Sequence, residues 1–342
     1  MDVVLEIVDT FMGDYLYATL HPSKPVPYDF PDLNTNGTAS GFDQWSYTPS
    51  TSWFSLEPSE YAYMSAWPRD NIYRQGLSLF FITWIFGILN YFLFATLSYI
   101  FIFDKATFGH PKFLKNQVWL EIKQANISMP GMALLTTGMF LFEVRGYGKL
   151  YDNTTDGPGR WYDWLQFPFF ILFTDCFIYW IHRGLHHPQV YKYLHKPHHK
   201  WIMPTPFASH AFHPLDGFAQ SFPYHIFPFL FPLQKIAYIF LFLFVNVWTV
   251  LIHDGEYVTD NPIINGAACH TAHHLYFNYN YGQYTTIWDR LGGSYRKPSP
   301  ELFKIETKMS KAQWDKQVQE MEKLVKEVEG EDNRSYNHKK NN

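Results

Sequence analysis

Between Leu77 and Phe103 the chain runs for 27 residues without a charged side chain. A helix of about 20 such residues already crosses the hydrocarbon core of a bilayer. Further apolar runs follow: Gln124–Phe142 with 19 uncharged residues, and Trp164–Ile181 with 18 residues interrupted only by Asp175. Gly217–Gln234 and Ile236–Ile252 then flank Lys235, the first of them carrying Pro223, Pro228 and Pro232. A large soluble protein buries apolar helices of this kind one at a time; five in one chain read as membrane segments. The mean hydropathy is slightly negative only because polar ends dilute a concentrated apolar middle. The expected fold is an all-α integral membrane protein with about four to five transmembrane helices.

Composition narrows the function. One residue in five is aromatic (20%), which suits a chain with a wide membrane interface. The two cysteines, Cys176 and Cys269, imply no disulfide framework, and a net charge of −4 gives no reason to expect nucleic acid. Met1–Leu20 lacks a basic start and carries Asp2, Glu6, Asp9 and Asp14, so it does not read as a cleavable signal, and an internal segment is expected to direct insertion.

Four stretches follow. Residues 1–76, with ten acids and three bases and no clear periodicity, read as a lumenal or interfacial arm. Residues 77–163 hold the first two membrane segments, 164–295 the histidine-bearing region, and 296–342 a cytosolic helix and tail. In the last stretch Ser310 and Gln313 form a capping-box pattern, and Trp314, Val318, Met321, Val325 and Val328 recur on one helical face. Beyond that helix the charged tail reads as disordered. It ends Lys339-Lys340-Asn341-Asn342, similar to the dilysine retrieval signal of endoplasmic reticulum membrane proteins.

Lys105, Lys112, Lys115 and Lys123 lie in the loop after the first span, which the positive-inside tendency puts in the cytosol, opposite the acidic arm. Counting on, the third span delivers His182 to the cytosol, and the stretch 217–252 leaves and returns as a hairpin or a re-entrant pair. Sequons at Asn36-Gly37-Thr38 and Asn153-Thr154-Thr155 then both fall on the lumenal side.

Of sixteen histidines, thirteen lie between His182 and His274. His182 and His186 are four apart with His187 adjacent; His195, His198 and His199 follow as H-x-x-H-H; His270, His273 and His274 repeat that pattern. Positions i, i+3 and i+4 share a helical face, so each triplet is expected to aim three imidazoles at one centre. Neutral imidazole is a good ligand for iron, zinc, copper and nickel. His21, His110, His225 and His338 stand apart and read as ordinary polar residues.

The clusters hold more ligands than a single zinc takes, and they suit two metals of higher coordination, with redox-active iron fitting a nitrogen-rich set. No H-E-x-x-H occurs, so the zinc-protease arrangement is absent. A transporter would place its ligands near the bilayer midplane, whereas these sit just past the ends of spans. His253 ends the last apolar stretch as His182 ends the third, and is expected to join the site. His213 follows the second cluster closely and is a further candidate, with His210 behind it. Asp175, the one charge within its span, reads as an outer partner that orients an imidazole from a neighbouring helix. Tyr179 lies between Asp175 and His182 and is a second candidate for that outer layer.

At this point the residues show a resemblance. His182-Arg-Gly-Leu-His186, His195-Lys-Pro-His198-His199 and His270-Thr-Ala-His273-His274 resemble the three histidine boxes of the membrane fatty acid hydroxylase/sterol desaturase superfamily, over roughly 165–295. The run Pro204-Thr205-Pro206-Phe207-Ala208-Ser209-His210-Ala211-Phe212-His213-Pro214-Leu215-Asp216-Gly217 resembles its sterol C-5 desaturase branch, and the similarity to the fungal enzymes of ergosterol synthesis extends over much of the chain.

The resemblance implies a cytosolic non-haem di-iron centre in the endoplasmic reticulum membrane. It uses O2 and electrons from NAD(P)H, delivered by cytochrome b5 and its reductase, to form the C5=C6 double bond of a delta-7 sterol drawn from the lipid bilayer. It also exposes a departure. Some members carry a histidine four residues after the position matching His253, where this chain has Tyr257, leaving Tyr257 in the outer layer and His213 as the replacement ligand. Thr205, Trp201, Phe207 and Phe212, near the second box, are the candidates for sterol contact. Two other readings share the boxes or the ligands: a C-4 sterol methyl oxidase or sphingolipid hydroxylase of the same superfamily, and a membrane metal-binding or transport protein without redox chemistry. Iron content with oxygen- and NADH-dependent turnover separates the last from the rest.

Overall fold

A computed structural model describes residues 1–23, 45–308, 310–330, 332 and 334–336. The sequon at Asn36 and the terminal lysine pair lie outside the described residues. Two compact units are present, one of Met1–Thr83 with Thr137–Gly148 and one of Trp84–Thr136 with Lys149–Asn342.

Residues 1–76, expected as a lumenal or interfacial arm without clear periodicity, begin with a helical segment. Helices α1 (Asp2–Val8) and α2 (Asp14–Leu20) are joined by a π-turn over Asp9–Gly13. Two of the acids that obscured this helix in the sequence, Asp9 and Asp14, are buried and paired. Arg74 reaches Asp9 and Asp14, each at 2.7 Å, and Arg69 reaches Asp14 at 2.6 Å. The basic partners lie some sixty residues away in sequence, where no local pattern connects them.

Three helices are long and apolar enough to cross a membrane: α3 (Ile72–Phe101), α4 (Gln117–Phe142, continued by a π-turn to Tyr147) and α5 (Arg160–Leu185). α4 starts seven residues before the uncharged run, so Glu121 and Lys123 lie within the helix. After α5 come two short helices, α6 (Pro188–Leu194) and α7 (Lys196–His199). The stretch 217–252 forms the expected helical pair, α8 (Pro214–Leu230) and α9 (Lys235–Leu251). Each has 17 residues, the lower end of the range that spans a bilayer at about 1.5 Å per residue. The expected four to five spans thus resolve into three of full length and this shorter pair.

A two-residue parallel pairing of β1 (Leu150–Tyr151) with β2 (Leu233–Gln234) closes the far end of the pair against the start of α5. Phe170, Ile178, Tyr224, Phe227 and Tyr238 pack α5, α8 and α9 into one apolar cluster. The chain closes with α10 (Ala267–Tyr276), α11 (Ile287–Leu291), α12 (Ile305–Lys308) and α13 (Lys311–Val328). The Ser310 cap forms as the sequence predicts, accepting from the Gln313 amide, and Met321 and Val325 bury the apolar face against α10.

Candidate metal centre

Each histidine is placed by an element end. His182 lies in the last turn of α5, and His186 caps that helix. His195 sits at the junction of α6 and α7, α7 carries His198 and His199, α10 carries His270, His273 and His274, and His253 follows the end of α9. Nine imidazoles converge in two groups, His182, His186, His195, His199 and His273 in one and His198, His253, His270 and His274 in the other. Within each group one nitrogen per ring lies within 4.8 Å of all the others.

The H-x-x-H-H boxes do not each serve one centre. In the second box His195 and His199 join the first group and His198 the second; in the third box His270 and His274 join the second group and His273 the first. Helical geometry accounts for this. Residue i+4 lies about 40° round the axis from i, whereas i+3 lies about 60° round on the other side. The i, i+4 pair therefore points to one centre and the i+3 residue to its neighbour. Two such boxes, facing each other, build adjacent sites.

Within each group the ring nitrogens stand close together. Nε2 to Nε2 separations are 3.0 Å for His182–His195 and for His199–His273, 2.9 Å for His253–His270 and 3.1 Å for His270–His274. At a metal–nitrogen bond of about 2.1 Å, two cis ligands of an octahedron stand about 3.0 Å apart and two of a tetrahedron about 3.4 Å apart. The spacing fits octahedral-like cis positions. His186 Nε2 is buried without a hydrogen-bond partner, a further donor atom awaiting one. Burial first, and then repulsion between neighbouring rings, holds His198, His199, His270 and His274 far below the usual imidazole range, so their rings are neutral with lone pairs free. No carboxylate belongs to either group among the described residues. The donor set is all imidazole and fits a pair of borderline transition metals.

Outer contacts set the ring orientations. Nδ1 of His182 meets the Tyr281 carbonyl at 2.9 Å, that of His253 the Thr249 carbonyl at 2.7 Å and that of His273 the Tyr279 carbonyl at 2.7 Å. His195 Nδ1 meets the Asp216 carboxylate at 2.8 Å. A proton on each Nδ1 leaves Nε2 as the ligand atom. The loop that supplies two of these carbonyls is itself held by carboxylates. Asp289 accepts from the amides of Tyr281 (2.9 Å) and Gly282 (2.8 Å), and Asp175 from those of Gln283 (3.0 Å), Tyr284 (2.8 Å) and Thr285 (3.2 Å).

Several expected roles change. His187 caps α6 through Nδ1 to the Gln189 amide, and His213 caps α8 through Nδ1 to the Leu215 amide; neither joins a group, because each precedes a proline-started helix and turns toward its open end. His210 turns to Ser209 and Asn246. Asp175 binds loop amides rather than an imidazole. The Tyr179 hydroxyl pairs with Ser294 at 3.0 Å and accepts from Arg183 at 2.6 Å, one layer further out. Tyr257 packs with Ala267, Ala268 and Leu302 behind α10, with its hydroxyl paired to Thr271.

Of the four residues expected to contact sterol, Phe212 stacks on His198 with centroids 4.3 Å apart. Trp201, Thr205 and Phe207 are buried in the protein core. Thr205 bonds Glu121 of α4 through its hydroxyl and its amide. Gln117, Glu121 and Gln124, one stripe of α4, grip the second box at Pro197 and the segment after it at Met203, Thr205 and Ala211. Asp216, Asp289 and Glu121 were missed by the sequence reading. Only Asp216 carried a signal, standing in the quoted run beside His213.

Paired all-imidazole groups at the ends of membrane-length helices define a membrane protein built round two histidine clusters that could hold metal. Residues 167–294 match the model of the family described as fatty acid hydroxylase. The chain is 69% identical to a probable Delta(7)-sterol 5(6)-desaturase of Neurospora crassa, covering 98% of this chain and 97% of that protein. It is 63% identical to the Delta(7)-sterol 5(6)-desaturase of Leptosphaeria maculans, over 98% and 97% of the two chains. With that of Candida albicans the identity is 48%, over 98% and 99%. This chain belongs to that sterol desaturase group of the fatty acid hydroxylase family. No solved structure matches it.

Proposed function

We propose that the chain acts as a Delta(7)-sterol 5(6)-desaturase, with one iron held by His182, His186, His195, His199 and His273 and a second by His198, His253, His270 and His274. The observation that supports this most is the coincidence of two all-imidazole groups with 69% identity, over nearly the whole chain, to a relative of that name. When bound, the iron pair would supply the activation of dioxygen needed to break an aliphatic C–H bond. The balance is simple. Removing hydrogen from C-5 and C-6 provides two electrons and two protons, NAD(P)H through cytochrome b5 and its reductase provides two more electrons and one proton, solvent provides the fourth proton, and O2 leaves as two waters.

The chain's own residues orient and shield. Asp216 and the carbonyls of Tyr281, Tyr279 and Thr249 keep the protons of four imidazoles on Nδ1. Burial of the rings excludes water that would quench an oxidant. Phe212 lies flat on His198 and gives the site an apolar wall where a sterol ring can rest. The bilayer delivers the substrate, and the lysines of the loop after the first span and of the C-terminus support a centre on the cytosolic face of the endoplasmic reticulum membrane. Expression in cells lacking this desaturase tests the reading by sterol mass spectrometry. The expected result is the appearance of 5,6-unsaturated sterols; continued accumulation of delta-7 sterols saturated at that bond, despite good expression, overturns it.

A further inference from the structure

Of the tail expected to be disordered beyond α13, the described residues 334–336 instead lie against the second histidine box and the start of α4. Glu329 ends α13, and Gly330, at φ +82°, makes the left-handed turn that reverses the chain. Arg334 then reaches the main-chain carbonyl of His199 through Nη2 at 3.1 Å, while Nη1 and Nη2 hold both oxygens of Glu329 at 3.0 and 2.8 Å. The Glu329 side chain is fully buried. It accepts from the Tyr191 hydroxyl of α6 at 2.8 Å and pairs with Lys196 of α7 at 3.1 Å. Burial alone would raise this carboxyl, but Arg334, Tyr191 and Lys196 together hold it below the usual range, so it stays charged. Ser335 and Tyr336 fix the returning segment to Lys115 and Leu114.

This arrangement answers a problem posed by α7. A helix of four residues leaves its terminal carbonyls without intrahelical partners, and this one carries two of the nine imidazoles. A guanidinium is suited to the task because its fork can bind a carboxylate and a carbonyl at once.

We propose that Glu329 and Arg334 form a latch that positions the second histidine box, so that the C-terminal segment is part of what retains metal at the centre. Neither residue touches an imidazole; both are positioning residues acting through the His199 backbone and α7. The inference rests on the metal-site part of the proposed function and not on the sterol. Its readout is bound iron, so it fails or stands separately from the product assignment.

The test uses the full chain, purified in detergent, loaded with iron(II) and challenged with a chelator. Arg334→Ala is expected to speed iron loss about tenfold, the low end for groups that orient metal ligands, with helical content by circular dichroism unchanged. Arg334→Lys keeps the charge opposite Glu329 but cannot span both partners, and should fall between. Tyr191→Phe, which removes a single bond to Glu329 and preserves packing, should give a smaller increase in the same direction. Glu320→Gln breaks the exposed α13 pair to Arg296 and should leave iron loss unchanged. Wild-type retention in both Arg334 variants overturns the latch. So does equal loss in Glu320→Gln, which would make the effect one of docking α13 in general.

Discussion

The carboxylate of Asp216 lies 2.8 Å from Nδ1 of His195, and both side chains are fully buried. Gln220, one turn along α8, donates to the other carboxylate oxygen at 2.8 Å and fixes its direction. The pair links α8 to the second histidine box and fixes the orientation of the His195 ring. Asp216→Asn keeps the shape but loses the charge, and is expected to weaken iron binding about 10- to 100-fold. Iron per chain, measured by elemental analysis after gel filtration, checks this; full occupancy in the variant would count against an orienting role.

The division of the histidines makes a sharper prediction than their number. His186→Ala, His198→Ala, His273→Ala or His274→Ala should each abolish turnover and lower bound iron while membrane insertion persists. His187→Ala and His213→Ala should cost only helix caps, about 0.5–2 kcal/mol each, and keep iron and activity. Loss of iron in either cap variant, or normal turnover in any of the first four, would show that the groups are wrongly drawn.

Loop 281–285 is the second support. Asp289→Ala strands the buried amides of Tyr281 and Gly282, at roughly 1–3 kcal/mol for each donor. Asp175→Asn puts an amide NH2 toward one of the N–H groups that now share its two oxygens. Both variants should lower the thermal unfolding temperature in detergent and also loosen iron, because the Tyr281 carbonyl sets the His182 ring. A variant that melts earlier but holds iron as tightly as the wild type would separate the loop from the site.

His110 gives a pH test away from the metal centre. It is buried edge-on to Trp314 of α13, with ring centroids 5.5 Å apart. Burial, partly opposed by Gln317 and reinforced by the Lys112 charge, pushes it down from 6.5 to about 4. Its folded value lies below its unfolded one, so the stability it contributes is complete above pH 6.5 and is lost as pH falls toward 4. Trp314 fluorescence in the iron-free chain should report undocking of α13 in that window, and His110→Asn should remove this component. A titration unchanged by the substitution would assign it to other groups.

Much of the architecture was legible because bilayer physics writes itself into composition. A spanning helix needs an uncharged run, and α3, α4 and α5 follow from Leu77–Phe103, Gln124–Phe142 and Trp164–Ile181 within a few residues. The α13 cap and stripe were legible for a similar reason, being local at one to four residues. The N-terminal helix was not, since Asp9 and Asp14 look solvent-seeking until Arg69 and Arg74 are brought to them.

The histidines divide along the same line. Spacing alone established that nine imidazoles and more were available to metal, because ligand chemistry depends on residue type. It could not say which ring serves which centre. That depends on the roughly 100° between positions i+3 and i+4 of each box and on how α5, α7, α9 and α10 face one another. Nor could it place Asp216, Asp289 or the Glu329–Arg334 latch. Their partners, among them backbone carbonyls and amides, one ring nitrogen, the Tyr191 hydroxyl and the Lys196 ammonium, become neighbours only once the chain has folded. The sequence by itself determined a membrane protein with clustered histidines suited to metal. Only tertiary structure decided their division into two groups, the exclusion of His187 and His213, and the supports that hold them, because these depend on directions in space and not on spacing along the chain.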